Sequence, residues 1–178
     1  MTLLLMAVMM CALPTDPSAS GTPLAQFENY LAEYSKIHDA AVAEVGGMVP
    51  TQSSANLVQQ RASLAEAIRS RRESAAQGDL FTAGIAAEFR RLIATNLKHR
   101  RTRIRGSLNS GELVVAQLKV NQSYPEGMPL QTMPPTLLMA FPKLPRGLEY
   151  RLVGTTLLLR DESANVIIDL LPNAIAMQ

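Results

Sequence analysis

Six prolines between residues 124 and 146 (Pro125, Pro129, Pro134, Pro135, Pro142 and Pro145) separate two stretches of sequence that obey different periodicities. Proline fixes φ and has no amide donor, so a segment this dense in it carries neither a long helix nor a central strand. Ahead of it, apolar residues recur mostly at spacings of three and four. Behind it they are β-branched and alternate with charges. The pattern predicts an α+β fold, with an N-terminal bundle of three to four helices packed on a small antiparallel β-meander.

The helical part divides at its glycines. Thr22-Pro23 opens a first helix, since proline suits a first helical position. Leu24, Phe27, Leu31, Tyr34, His38, Ala41 and Val45 form its apolar stripe, and Gly46-Gly47 and Pro50 stop it. A second helix is expected from about Ser54 to Gly78, with Leu57, Leu64, Ile68 and Ala75 inward. Thr82 is placed to cap a third, with Ile85, Phe89, Leu92 and Ile93 inward, and the helical pattern continues or restarts through Ile104 and Leu108.

Leu113 to Val120 reads as a strand, and Pro135 to Phe141 as a short helix within the proline-rich segment. Three further strands follow: Leu148–Val153, Thr156–Arg160 and Asn165–Leu171. Gly154-Thr155 and Glu162-Ser163-Ala164 separate them at hairpin distances. Glu149, Arg151, Arg160, Asp161 and Asp169 interleave with leucine, valine and isoleucine, which predicts a sheet with one buried and one solvated face. Three short strands do not hold a fold alone, so the helices and the sheet are expected to cover each other in one domain spanning residues 21–178, its helical region 21–110 and its proline-rich and strand region 111–178.

The N-terminus reads as an address. Residues 3–13 are apolar and uncharged, Pro14 follows, and small residues come next through Ser18-Ala19-Ser20. This is the pattern of a secretory signal peptide over residues 1–20, cleaved after Ser20, although no Lys or Arg precedes the apolar run. Met9 and Met10 before Cys11 are too bulky for a lipidation site. The sole cysteine would leave with the signal, which suits a periplasmic or secreted protein. No apolar run reaches the roughly 20 residues that span a bilayer.

The stretch from Val120-Asn121-Gln122-Ser123-Tyr124-Pro125, through Met133-Pro134-Pro135-Thr136-Leu137-Leu138 and Leu144-Pro145-Arg146-Gly147-Leu148-Glu149-Tyr150-Arg151-Leu152-Val153-Gly154, to Ala164-Asn165-Val166-Ile167-Ile168-Asp169 and Leu171-Pro172-Asn173-Ala174, resembles a group of uncharacterised secreted proteins of environmental bacteria. The resemblance implies secretion and a shared fold, and no activity. About ten positions of the terminal hairpin are also faintly similar to periplasmic accessory proteins of nickel and cobalt homeostasis. A generic hairpin would choose the same residue types there, so no metal site is carried over.

Few residues are equipped for catalysis. No nucleophile elbow, Ser-x-x-Lys or phosphate-cradling glycine loop is present. His38 lies on the first helix's apolar stripe and is expected to be a hydrogen-bonded core or interface histidine. His99 stands among arginines that repel cations, and Met48, Met128, Met133 and Met139 read as gap-fillers rather than copper ligands. Glu112, Glu126, Glu149, Asp161 and Asp169 could pair as acid and base; the strand members among them are expected on the solvated face, where no pKa would rise. The expectation is a non-enzymatic protein without cofactor, an extracytoplasmic carboxylate enzyme or a metal-homeostasis accessory being the alternatives.

Charge is the sharper signal. Residues 61–105 hold eleven Lys and Arg against four acids, whereas the first helix carries Glu28, Glu33, Asp39 and Glu44 against Lys36. Either the first helix neutralises this excess, or Lys98, Arg100, Arg101, Arg103 and Arg105 form an anion- and partner-binding surface. The partner would be an envelope protein or an anionic lipid or polysaccharide surface. Nucleic acid is disfavoured, because no aromatic residues interleave with the basic run.

Overall fold

The computed structural model describes residues 21–97, 118–125 and 133–176. Their architecture is α+β. Helices α1 (Pro23–Glu44), α2 (Ser54–Ser70), α3 (Ala83–Asn96) and the short α4 (Pro135–Ala140) precede a three-stranded antiparallel sheet. Its strands are β1 (Leu148–Val153), β2 (Thr156–Asp161) and β3 (Val166–Leu171), in the order β1-β2-β3.

The helix starts follow from local chemistry. The Thr22 hydroxyl accepts from the Ala25 amide ahead of Pro23, and the Ser53 hydroxyl accepts from Asn56. Each side chain thereby satisfies an amide that the helix cannot. Thr82 occupies the cap position of α3 without a side-chain bond; only its carbonyl is engaged, by Ala86. Helix α2 is shorter than its expected reach to Gly78. It closes at Ser70, where the Arg72 amide turns back to the Arg69 carbonyl, and Ala75 falls beyond it.

One core joins the two parts. Phe27, Leu31 and Tyr34 of α1, Leu64 and Ile68 of α2, and Ile85, Phe89 and Ile93 of α3 pack with Tyr150, Leu152, Leu157, Leu159 and Ile168 of the sheet. The Phe89 ring sits within 6 Å of the Phe27, Phe81, Phe141 and Tyr150 rings. Leu57 departs from its expected inward place and is 46% exposed.

The sheet corrects the expectation of a solvated face. Every residue of β2 and β3 is buried. Behind the sheet, Leu118 and Tyr124 pack on Val153, Leu158, Ile167 and Leu170 as a second core. Residues 121–124 run along β3: the Asn121 amide donates to the Ile167 carbonyl, Ile167 to Gln122 and Tyr124 to Asn165. A strand through Val120 is thus not formed over 118–120, which lead into a turn, and residues 113–117 lie outside the described residues. Asn121, at φ +63°, makes that turn, and its side chain both donates to the Arg72 carbonyl and accepts from the Arg72 guanidinium.

A register shift decides where one acid goes. Leu159 pairs with Asp169 and Arg160 with Ile167, leaving Ile168 unpaired in a bulge. A bulge puts two successive residues on one side of the strand. Strict alternation would send Asp169 behind the sheet; the extra residue turns it toward the helices instead.

Candidate functional site

The first cluster of chemically capable side chains lies where α1 meets the end of β2. Tyr34 and His38 are one turn apart on α1, so both face the sheet. The Tyr34 hydroxyl donates to Asp161 Oδ2 at 2.8 Å, and His38 Nδ1 lies 2.7 Å from the same oxygen. The other oxygen accepts from the Ala164 amide at 3.0 Å. Asp161 has no exposed surface, while the His38 side chain keeps 20% of its own.

These contacts set the protonation states. Burial alone would push the Asp161 carboxyl up, but bonds from His38, the Ala164 amide and Tyr34 outweigh it and hold the group below the usual carboxylate range. The hydrogen bond to Asp161 raises His38 against the opposing effect of its partial burial. Burial, reinforced by Asp161, keeps the Tyr34 hydroxyl protonated far above its ordinary range. An ionised Asp161 requires its partner nitrogen to carry the proton, so Nδ1–H donates, and Nε2 has a lone pair only when the ring is neutral, above the raised pKa. That is two-thirds of a nucleophile–base–acid relay. No serine, threonine or cysteine bonds to His38 among the described residues. As it stands, the cluster is a polar tie between α1 and β2, in keeping with the hydrogen-bonded histidine expected from sequence.

The second cluster is centred on Asp169, also without exposed surface. It accepts from the amides of Gly78, Leu80 and Phe81, each at 2.8 Å, and from its own neighbour Leu170 at 2.7 Å. The carboxylate thereby fastens the α2–α3 connection to β3. Glu149, the third strand acid, is behind the sheet, where Arg151 and Arg160 both donate to it. Burial raises Glu149, but the two guanidinium groups prevail and lower it. Arg160 also donates to Asn165 and stacks 5.3 Å over the Tyr124 ring. The expected placement of Glu149, Asp161 and Asp169 on a wet face is therefore corrected: all three are wholly or largely buried and held by internal donors.

The arginines of the basic region are mostly engaged as well. Arg71 pairs with Glu44, the one ion pair among the described residues between α1 and this region. Arg72 donates to the Ile168 carbonyl and Asn121, Arg90 to the Pro172 and Asn173 carbonyls, and Arg91 to Glu88. Carbonyl oxygens rather than the acids of α1 take up most of this cationic surface. Arg61 makes no ion pair among the described residues, and its Nε is buried without an acceptor. Lys98, Arg100, Arg101, Arg103 and Arg105, the anion-binding residues expected from sequence, lie outside the described residues, as do His99, Glu112, Glu126, Met128 and Cys11.

Met133 is buried in the core and Met48 packs against it, whereas Met139 is 88% exposed, so the described methionines are not gathered at one place. No group of three or more His, Cys, Asp or Glu is positioned to hold a metal among the described residues. No helix among them is long and apolar enough to cross a membrane. Compared with known protein families, curated proteins and solved structures, the chain matches none.

Proposed function

We propose that this is an exported, non-catalytic binding module of the bacterial envelope, drawn to anionic phosphate-bearing surfaces by the basic run Lys98, Arg100, Arg101, Arg103 and Arg105. The observation that carries the reading is the disposition of charge. Asp161, Asp169 and Glu149 are each occupied by internal donors, and the arginines from Arg69 to Arg91 have internal acceptors. The densest run of basic residues in the sequence, Lys98, Arg100, Arg101, Arg103 and Arg105, follows α3 directly. Export is supported by the signal-like residues 1–20, by the absence of cysteine after Cys11 and by the resemblance of the C-terminal third to secreted proteins.

Two measurements test it. The chain, expressed with its own N-terminus in a Gram-negative host, is expected in the periplasmic or secreted fraction with an intact mass lacking residues 1–20. Recovered from there, it is expected to sediment with phosphatidylglycerol vesicles at low salt, to be released at high salt, and to ignore phosphatidylcholine vesicles. Cytoplasmic retention at full mass would contradict export. Indifference to vesicle charge would contradict the anionic surface.

A further inference from the structure

From the geometry beside α2 we infer a second, smaller site: a cleft that takes a carboxylate carried on an apolar body. It rests on the reading of the protein as a binding module and names a ligand class for a face other than the basic run. The cleft measures about 490 Å³ and lies between α2 and the turn at Ser123–Pro125 and Asn165. That volume is within the usual range for small-molecule sites.

Three features define what it would bind. The Arg61 side chain lines the cleft and has no ion-pair partner among the described residues, so its guanidinium offers an entering anion an unneutralised cation. Arg69, two turns on, is fixed by bonds from Nε to the Asn121 carbonyl (2.8 Å) and from Nη2 to Ser123 Oγ (2.7 Å). Its Nη1 is only loosely answered, by Glu66 at 3.8 Å. Two guanidinium groups against one carboxylate leave a single excess positive charge, which suits a monoanion better than a phosphate dianion. The planar guanidinium fork matches a carboxylate in geometry.

The remaining wall is partly apolar, with Ser123 and Asn165 contributing polar groups. Ala62, Pro125 and Val58 line the cleft, and Val58 is 65% exposed. Leu57 beside it is 46% exposed. An inorganic anion would leave this surface wet, whereas a ligand with an apolar body would cover it.

Octanoate below its micellar concentration is the probe, titrated into the exported protein by calorimetry, with octanol, octylammonium and inorganic phosphate as comparisons. Saturable one-site binding of octanoate is expected, with at least tenfold weaker binding of the other three. Arg61→Gln, at a residue with no ion-pair partner among the described residues, should weaken octanoate at least tenfold while the melting temperature is kept. Val58→Asp should do the same through the apolar wall. No octanoate binding, or binding unchanged in Arg61→Gln, would overturn the site; phosphate binding as tightly would overturn the ligand class. Vesicle sedimentation run in parallel separates the two readings, since loss of octanoate binding with vesicle binding intact defeats the cleft alone.

Discussion

His38 and Asp161, 123 residues apart in sequence, are joined by a hydrogen bond of 2.7 Å that ties the first helix to the middle strand. The bond links two groups whose pKa values move in opposite directions. His38 is raised in the folded protein, so its contribution to stability is complete below the unfolded value of about 6.5 and is lost as pH rises through the higher folded value. Asp161 is lowered, so its contribution is complete above about 3.9 and is lost as pH falls through the lower folded value. Between those limits the pair stabilises most. Melting temperature should therefore fall as pH is raised from 6 toward 8.5, and His38→Gln should flatten that limb. A mutant whose pH profile parallels the wild type would contradict the tie.

Asp169 offers a separate test. Asparagine in its place would present an amide group to backbone amides that now donate to a carboxylate, leaving a buried donor without an acceptor. Asp169→Asn should cost about 2–4 kcal/mol in urea unfolding. It should also loosen the α2–α3 connection, read as faster amide exchange at Gly78, Leu80 and Phe81, the three that donate to it across the fold.

Phe89 stands at the centre of the aromatic cluster, with no exposed surface and four rings around it. Truncation to alanine removes contacts to both the helices and β1, so Phe89→Ala should destabilise by about 3–5 kcal/mol. A loss below about 1 kcal/mol in chemical unfolding would mean that helices and sheet do not share this core.

Gly147 precedes β1 at φ +85°, and a Cβ there would lie 3.1 Å from the Ser163 hydroxyl. Its carbonyl also accepts from the Glu162 amide, tying the two ends of the hairpin. Gly147→Ala should cost about 1–2 kcal/mol in the same unfolding assay, because alanine is strained in the left-handed region. Combining it with Ser163→Ala should recover only the part due to contact.

Much of this fold was legible because its elements are local. The Thr22-Pro23 start, the Gly46-Gly47 stop and the two-residue turn at Gly154-Thr155 are statements about backbone freedom, and strand limits followed from them within a residue. What was not legible depends on distant partners. Asp161 and Asp169 look like the polar half of an alternating strand, yet their donors come from α1 and from the α2–α3 connection. The bulge at Ile168 leaves no mark in composition, although it reverses the side on which Asp169 lies. Leu118 and Tyr124 covering the back of the sheet is likewise a tertiary event. The cleft is not legible in the sequence for the same reason: Arg61 and Arg69 are ordinary helix-surface arginines until residues 123–125 and 165 close against them.

The most direct test of the proposed function is the salt dependence of vesicle binding for the wild type and for the variant with Arg100, Arg101, Arg103 and Arg105 all changed to serine. Each basic residue near an anionic surface contributes about 1 kcal/mol, so partitioning onto phosphatidylglycerol vesicles should fall on the order of a hundred- to a thousandfold in the variant and lose most of its salt sensitivity. A variant that binds as tightly as the wild type, with the same response to salt, would contradict it.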